Sequence, residues 1–335
     1  ISPAVAMGMA IGLGLLAKYA MMYFLLCAAI HAGVSPAARR AWVSRAGAAA
    51  LATALLVFSP NLIWNAGQNF ATLRHTAANA HWQGHLFNIG KFAEFFMAQF
   101  AVIGPLLMVM FIWGLLTLRR RASAQTKPAD TLLLCFSLPI LAIGLVQAFV
   151  SRANANWAAP AFVGATILVC AWILRAKIPI FLRASLIIHV VSGLVLYAIA
   201  IIPGAVDTFA MENTFKRLRG WDALAAQVEQ AATQAPYKAI LTDHRAVTAE
   251  LLYYARKASI PVLVFDRDEV PGNEFELKAP YRRETGGPVL YVSFFPDRSA
   301  VTAHFETIQA LGIFRAPKGA LDLPFAFYRL DGYKG

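Results

Sequence analysis

Acid is what this sequence lacks. Through Gly204 only Glu94 and Asp130 carry a carboxylate, against fourteen Lys and Arg. Charge of either sign is scarce as well: 14% of the 335 residues are charged and 59% are apolar, where a soluble domain carries about 25% charged. That shortage excludes an ordinary soluble protein over the acid-poor part. Cysteine is almost missing. Cys27, Cys135 and Cys170 all sit inside apolar runs, where a thiol behaves as a small hydrophobe, and the C-terminal part has none, which excludes a disulfide framework there. Also absent are a Gly-rich phosphate loop, a GxSxG elbow, an HExxH helix, internal repeats and low-complexity linkers. The common autonomous soluble enzymes that depend on those motifs are thereby disfavoured. There is no initiator Met, charged n-region or cleavage site; Ile1-Ser2-Pro3 leads straight into an apolar run. The chain reads as a fragment whose N-terminal portion lies upstream.

What is present divides in two. The net charge of +12 belongs entirely to residues 1–204, because residues 205–335 hold sixteen acids and sixteen bases. A pI near 9.8 usually raises nucleic acid as a partner, but basic loops between apolar spans follow from membrane topology, and no nucleic acid is expected. The expected fold is a multi-span α-helical membrane domain, residues 1–204, followed by a small α/β extracytoplasmic domain, residues 205–335.

Crossing the hydrocarbon core takes about 20 apolar residues. Windows of that kind run over Ala46–Asn65, Phe92–Leu118, Thr131–Val150, Ala158–Leu174 and Arg183–Pro203. The opening run Pro3–Gly33 is long for one span and short for two, with Lys18 in its middle; two short helices meeting near Lys18 is the preferred reading, one long tilted helix the other. Six or seven spans result. The linkers 34–45, 119–130 and 175–183 hold ten Lys and Arg, whereas the loops 66–91 and 151–157 hold only Arg74, Lys91 and Arg152. The positive-inside rule puts the first set in the cytoplasm and the second outside. Alternation then carries the C-terminal domain outside, so the localisation expected is a bacterial inner membrane with a periplasmic C-terminal domain.

That domain alternates helical and strand patterns. "FKRLRGWDALAAQVEQAATQ" and "RAVTAELLYYARKA" read as helices; "YKAILTD", "IPVLVFD" and "GGPVLYVSFF" read as strands. "VTAHFETIQAL" reads as a further helix, with "FRAPKG" and "PFAFYRLDGY" as late strands.

The residues that could carry chemistry lie mainly where the spans end outside. "SPNLIWNAGQNFATLRHTAANAHWQGH" contains Asn, Gln, Arg, His and Trp but no acid. Arg74 and His75, with His81 and His85, suit a phosphate, Arg through its bidentate fork and His as donor. The His spacing equally suits a divalent metal, and interfacial solvation with Trp64 and Trp82 in an aromatic belt is the structural alternative. Asn65 belongs to the same polar ensemble, with Asn61, Gln68, Asn69 and Asn79. In "SRANANWAAPAF", Arg152, Asn154 and Asn156 precede a helix start, which favours anions; a tight loop that uses Asn for its turn is the competing reading. Lys18, an ionisable group inside an apolar run, marks either a site or a side chain snorkelling to the interface. In "LTDHRAVTAELLYYA", Asp243 reads as a helix N-cap, leaving His244 and Arg245 as weaker binding candidates beyond the end of a strand.

"GMAIGLGLLAKYAMMYFLL", "FSPNLIWNAGQNFATLRHTAANAHW", "SRANANWAAPAFVGA" and "RLRGWDALAAQV…AILTDHRAVTAELLYYAR" together resemble bacterial integral-membrane glycosyltransferases of the GT-C superfamily. The similarity is to the family-39-like group related to protein O-mannosyltransferases and the lipid A aminoarabinose transferase. It implies transfer of a sugar, with inversion, from a polyprenyl-phosphate donor to a lipid, glycan or protein acceptor at the outer face of the inner membrane. A carboxylate in the family's first outer loop is then the expected general base. Neither Glu94 nor Asp130 fits that loop, so the base is expected upstream of Ile1. Arg74, His75, Arg152 and Lys18 are expected at the donor phosphate, and Asn65, Asn154 and Asn156 at sugar or phosphate oxygens. No cofactor is implied with certainty; a divalent metal stays open. A transporter or flippase of a lipid-linked sugar and a non-catalytic membrane anchor displaying the C-terminal domain are the other two readings.

Overall fold

The computed structural model describes residues 2–68, 70, 72–73, 77, 87–118, 128–202, 204–215, 218–267, 271–315 and 324–335. The chain forms two compact units, Ile1–Gly193 and Leu194–Gly335.

In the first unit the opening run is indeed two helices. α1 (Pro3–Ala17) starts from Ser2, whose Oγ accepts from Val5 N–H, with Pro at N1. It stops at Lys18, which turns extended, and a 3₁₀ turn (Tyr19–Met21) leads into α2 (Met22–Val34). After α3 (Pro36–Trp42), Ser44 caps the long α4 (Arg45–Gly67). α1 and α4 approach closely because small residues face one another: a Cβ on Gly8 would overlap the Ala50 carbonyl, and one on Gly12 would come within 2.6 Å of Val57 Cβ. Such small-residue contacts let membrane helices gain dispersion energy where no hydrophobic force acts between them.

The Phe92–Leu118 window is not the single span its hydropathy indicates. α5 (Ile89–Ile103) and α6 (Pro105–Leu118) meet at 112°. Gly104 (φ +96°) adopts a backbone few other residues tolerate, and Pro105 then starts a new helix. α7 (Pro128–Cys135) and α8 (Leu138–Val150) make one apolar stretch, followed by α9 (Ala161–Arg175) and α10 (Ile180–Ile201). By length and composition three helical stretches, Arg45–Gly67, Pro128–Val150 and Ile180–Ile201, are long enough to cross a membrane, or four if the bent pair counts as one. Three shorter apolar helices, Pro3–Ala17, Tyr19–Val34 and Ala161–Arg175, stand beside them among the described residues. The breaks at Lys18 and Gly104 and the 15-residue length of α9 leave the remaining helices short of about 20 residues. Phe95, Phe111, Leu168 and Ile173 are buried where α5, α6 and α9 pack.

The second unit is a mixed five-stranded sheet with helices. β1 (Ala239–Thr242) pairs in parallel with β2 (Val262–Val264) on one side and β3 (Val289–Ser293) on the other. β4 (Phe305–Arg315) and β5 (Pro324–Tyr333) complete the order β2-β1-β3-β5-β4, with β5 antiparallel to both neighbours. α11 (Trp221–Ala232) and α12 (Arg245–Tyr254) bury Leu224, Val228, Val247 and Leu251 with Ile240, Leu290 and Val292 of the sheet. One element is corrected. "VTAHFETIQAL" holds only a short helix (Ser299–Thr302), and from Phe305 it is strand. Val301, Phe305 and Ile308 recur at helical spacing, but β5 offers a partner for the whole segment, from Phe305↔Tyr333 to Arg315↔Pro324 with an irregularity between Ala310 and Gly312. Tertiary pairing overrides the local pattern there. The molecule is thus a multi-span helical membrane unit followed by a small α/β unit.

Candidate functional site

The helix break at Lys18 places polar groups against the end of α4. Tyr19 donates its hydroxyl to Asn61 Oδ1. Asn65 Nδ2 donates to Asn61 Oδ1 (3.0 Å), to the Asn61 carbonyl (3.0 Å) and to Tyr19 Oη (3.1 Å), while Asn65 Oδ1 accepts from Thr72 N–H at 3.2 Å. Asn65 is only 2% exposed, and this network supplies partners to both ends of its amide. Its part is to tie the Lys18 break to the start of the acid-free segment. Lys18 itself is exposed.

The ends of the two acid-poor loops also meet. Phe87 N–H donates to the Val150 carbonyl at 3.1 Å and Asn88 N–H to that of Phe149 at 2.7 Å. Gln147 Nε2 holds the Arg152 carbonyl at 3.0 Å, and the buried Gln99 reaches the Ala155 carbonyl at 3.4 Å. These side-chain contacts fix the turn from which Arg152, Asn154 and Asn156 project, all three exposed. Asn154 starts the 3₁₀ turn Ala155–Ala158 without a side-chain cap bond. Arg74, His75 and His81 lie outside the described residues. Among the described residues no three His, Cys, Asp or Glu side chains come together as a metal site.

Below the Lys18 break, α1, α2, α7, α8 and α9 enclose an open cleft of about 630 Å³. Its walls are Met21, Phe24, Phe136, Ile140, Val163 and Ile167, and Lys18 is the one charged residue lining it among those described. Gly14 borders the cleft, and a Cβ there would come within 2.9 Å of Met21 Cγ; at Gly164 it would come within 2.9 Å of Ser137 Oγ. An apolar slot with one cation in its lining suits an amphiphile with an anionic head.

Both membrane-unit acids are committed elsewhere. Asp130 is 5% exposed; Arg175 donates to its two oxygens at 2.7 and 2.9 Å and Trp172 Nε1 donates at 3.1 Å. Trp172 in turn stacks on Phe111. A buried carboxylate so engaged is structural. Glu94 pairs with Lys91 on the exposed side of α5, a contact worth about 0–1 kcal/mol.

In the second unit the expected cap is shifted by one residue. His244, extended at φ −145°, is the N-cap of α12, its Nδ1 accepting from Ala246 N–H at 3.2 Å. Burial holds its imidazole below the usual pKa, an effect that outweighs the opposing pull of Asp243. Asp243 is not the cap. Its side chain is fully buried, and Oδ2 accepts from Arg267 Nη2, from Tyr291 Oη at 2.6 Å and from Ser293 Oγ at 3.1 Å. Burial and the neighbouring carboxylate raise the Tyr291 phenol well above its usual range. Arg245 is exposed. Sequence patterns miss Arg267, Tyr291 and Ser293, since 24 to 50 residues separate them from Asp243; the only signal is a polar residue at the end of each of two buried strands.

Residues 2–64 match the family model "Dolichyl-phosphate-mannose-protein mannosyltransferase". The chain is 32% identical over 316 residues, 94% of its length, to the lipid A galacturonosyltransferase RgtD of Rhizobium johnstonii (strain DSM 114642 / LMG 32736 / 3841). It spans 65% of that relative's length. No solved structure matches it. The family match covers α1 to α4 with the Lys18 break, and the similarity to the relative continues through both units; both comparisons liken the chain to integral-membrane glycosyltransferases of the GT-C type.

Proposed function

We propose that this chain forms the greater part of an enzyme that transfers a sugar from a polyprenyl-phosphate donor to a lipid acceptor at the periplasmic face of the inner membrane, with inversion. The observation that carries the reading is the apolar cleft with Lys18 as its one described charge. An isoprenoid chain occupies such a slot through dispersion and apolar burial, and its phosphate sits beside the ammonium. Arg74, His75 and Arg152 add donors for the departing phosphate, where developing charge is greatest. Asn154 and Asn156 hydrogen-bond sugar or phosphate oxygens, and the buried Asn65 holds the backbone of Thr72. The relative's name supports lipid A as acceptor and a uronic acid as the transferred sugar.

The acceptor hydroxyl must lose a proton to a general base. Asp130 is tied to Arg175 and Glu94 is a surface partner of Lys91, so the base is a carboxylate outside residues 1–204. The test is turnover of the full-length enzyme with a lipid-linked sugar. Removing Arg74 or Arg152 should each cost a charge-assisted contact, about 1.5–3 kcal/mol, or roughly 10- to 150-fold in kcat/KM. Lys18→Met should raise the donor KM, and Glu94→Gln should leave turnover within about twofold, as for a weak surface pair. Unchanged kinetics in both arginine variants would remove the phosphate assignment, and loss of all activity in Glu94→Gln would give the base to Glu94.

A further inference from the structure

The sheet of the second unit ends in an unprotected strand. In the order β2-β1-β3-β5-β4, β4 has β5 on one side and none of the described strands on the other. β1 and β3 are buried along their whole length, whereas every residue from Glu306 to Arg315 except Phe314 is exposed, Ile308 to 49% and Ile313 to 68%. Natural edge strands usually carry Lys, Pro or an inward charge, which stops another chain from adding to the row of free N–H and C=O groups. β4 has no Lys and no Pro; its charges are Glu306 near one end and Arg315 at the other. Neither takes part in an ion pair among the described residues.

The bulge decides which register such an edge supports. β5 pairs Ile308 with Leu330 and Ile313 with Ala326, and the irregularity falls between Ala310 and Gly312. Leu330 and Ala326 lie four residues apart, so Ile308 and Ile313 share one face of the sheet and one phase of the alternating hydrogen-bond ladder. Five residues apart on a regular strand, they would share neither. Gln309 and Gly312, opposite Arg329 and Phe327, match in the same way, as do Thr307 and Phe314, opposite Asp331 and Phe325. Bulges often blunt an edge; this one makes each half of β4 fit the other half read backwards.

We propose that β4 is a docking edge for a second copy of this chain: two β4 strands pair antiparallel about a two-fold axis between Ala310 and Leu311, joining the two sheets into one. Glu306 then faces Arg315 of the second copy at both ends of the pair. Ile308 faces Ile313 of the second copy twice on one side of the joined sheet, and Thr307 faces Phe314 on the other. A two-fold pairing makes every contact twice. The charge order, acid first and base last, is the one an antiparallel copy needs, since a parallel copy would set Glu306 beside Glu306. Backbone groups supply affinity, and the matched isoleucines supply register.

The experiment follows self-association of the whole chain in detergent by sedimentation over a concentration series, with cross-linking in membranes as a second readout. In a background lacking Cys27, Cys135 and Cys170, Ile308→Cys combined with Ile313→Cys should give a covalent dimer with a thiol-specific linker of about 6 Å. Opposite Cβ atoms lie roughly 5 Å apart, whereas positions 308 and 313 of one chain lie about 15 Å apart. Each single-cysteine variant should stay uncross-linked, because its twin lies about 15 Å away across the axis. Glu306→Arg should weaken the dimer about tenfold, since two opposite-charge pairs become two like-charge pairs. Adding Arg315→Glu should restore it to within about threefold. Ile308→Lys should weaken it at least about tenfold. An unchanged melting temperature in these variants at exposed positions separates lost pairing from lost fold. A parent chain that stays monomeric, or cross-linking no greater in the double-cysteine variant than in the single ones, would overturn the proposal. So would a dimer indifferent to Glu306→Arg, which another surface must then hold, or failure of Arg315→Glu to rescue. None of these readouts uses sugar transfer, so the docking edge stands or falls independently of the membrane reaction.

Discussion

At the scale of single residues, the second unit concentrates its electrostatic stakes on Asp243 and His244. Asp243→Asn deletes the charge that Arg267, Tyr291 and Ser293 all address. Breaking a buried pair usually costs about 3–5 kcal/mol, and because Arg267 is one-third exposed, the expected loss is at the lower end, about 3 kcal/mol. Chemical unfolding followed by far-ultraviolet circular dichroism would measure it. His244 sets a pH dependence. Its folded pKa lies below the ordinary histidine value because burial disfavours the cation. The unfolded chain therefore binds more protons than the folded one between those two pKa values, and stability must fall as pH drops below about 6.5. His244→Gln should flatten the change in melting temperature between about pH 7.5 and 5.5. An equal slope in the variant would assign the titration to another group.

At the scale of elements, the decisive devices are breaks rather than runs. Gly104 is held open by its positive φ, and His189 of α10 fills the space beside it: His189 and the Ile103 carbonyl lie 3.1 Å apart at Nε2, and Nδ1 lies 2.6 Å from the Ser185 carbonyl. A Cβ at position 104 would overlap the imidazole. Gly104→Ala should thus lose stability both from the backbone, about 1–3 kcal/mol, and from displacement of His189. Combining it with His189→Ala should recover the steric part only, read as a partial rise in melting temperature in detergent. The α1–α4 pair makes a second prediction. Gly8→Leu would force its side chain into the Ala50 carbonyl and Thr53, and overpacking of this kind costs about 1–3 kcal/mol. A Gly8→Ala variant should cost less because only one methyl has to be accommodated, and the ranking of the two by thermal aggregation checks the contact. These breaks were partly legible. Lys18 in the middle of an apolar run signalled the first, whereas hydropathy averaged over Phe92–Leu118 hid the second, despite a Gly-Pro pair that permits it. In β4 the local period favoured helix, and only the availability of β5 as a partner reversed it.

At the scale of the whole molecule, the distribution of charge along the chain makes a topological prediction. In a background lacking Cys27, Cys135 and Cys170, a cysteine placed at Arg39 should react only with reagents on the cytoplasmic side. Cysteines at Asn154 and at the exposed Ser299 should react with an impermeant reagent applied to the periplasmic face. Reaction of the last two from the cytoplasmic side would invert the orientation and with it the periplasmic assignment of the transfer. What the sequence determined by itself follows from composition and sign. An acid-poor apolar stretch folds as membrane helices because its backbone has to satisfy its own hydrogen bonds, and a charge-balanced α/β pattern after it builds a separate unit. What only tertiary structure decided depends on groups far apart in the chain. Lys18 came to line a cleft with residues of four other helices, and Asn65 became a tie between the Lys18 break and Thr72. Asp243 moved from helix cap to the buried hub of a cluster drawn from three segments. Periodicity reports which face of an element is apolar; it carries no information about which distant donor will meet a carboxylate, because that is fixed by the sheet order and the helix breaks.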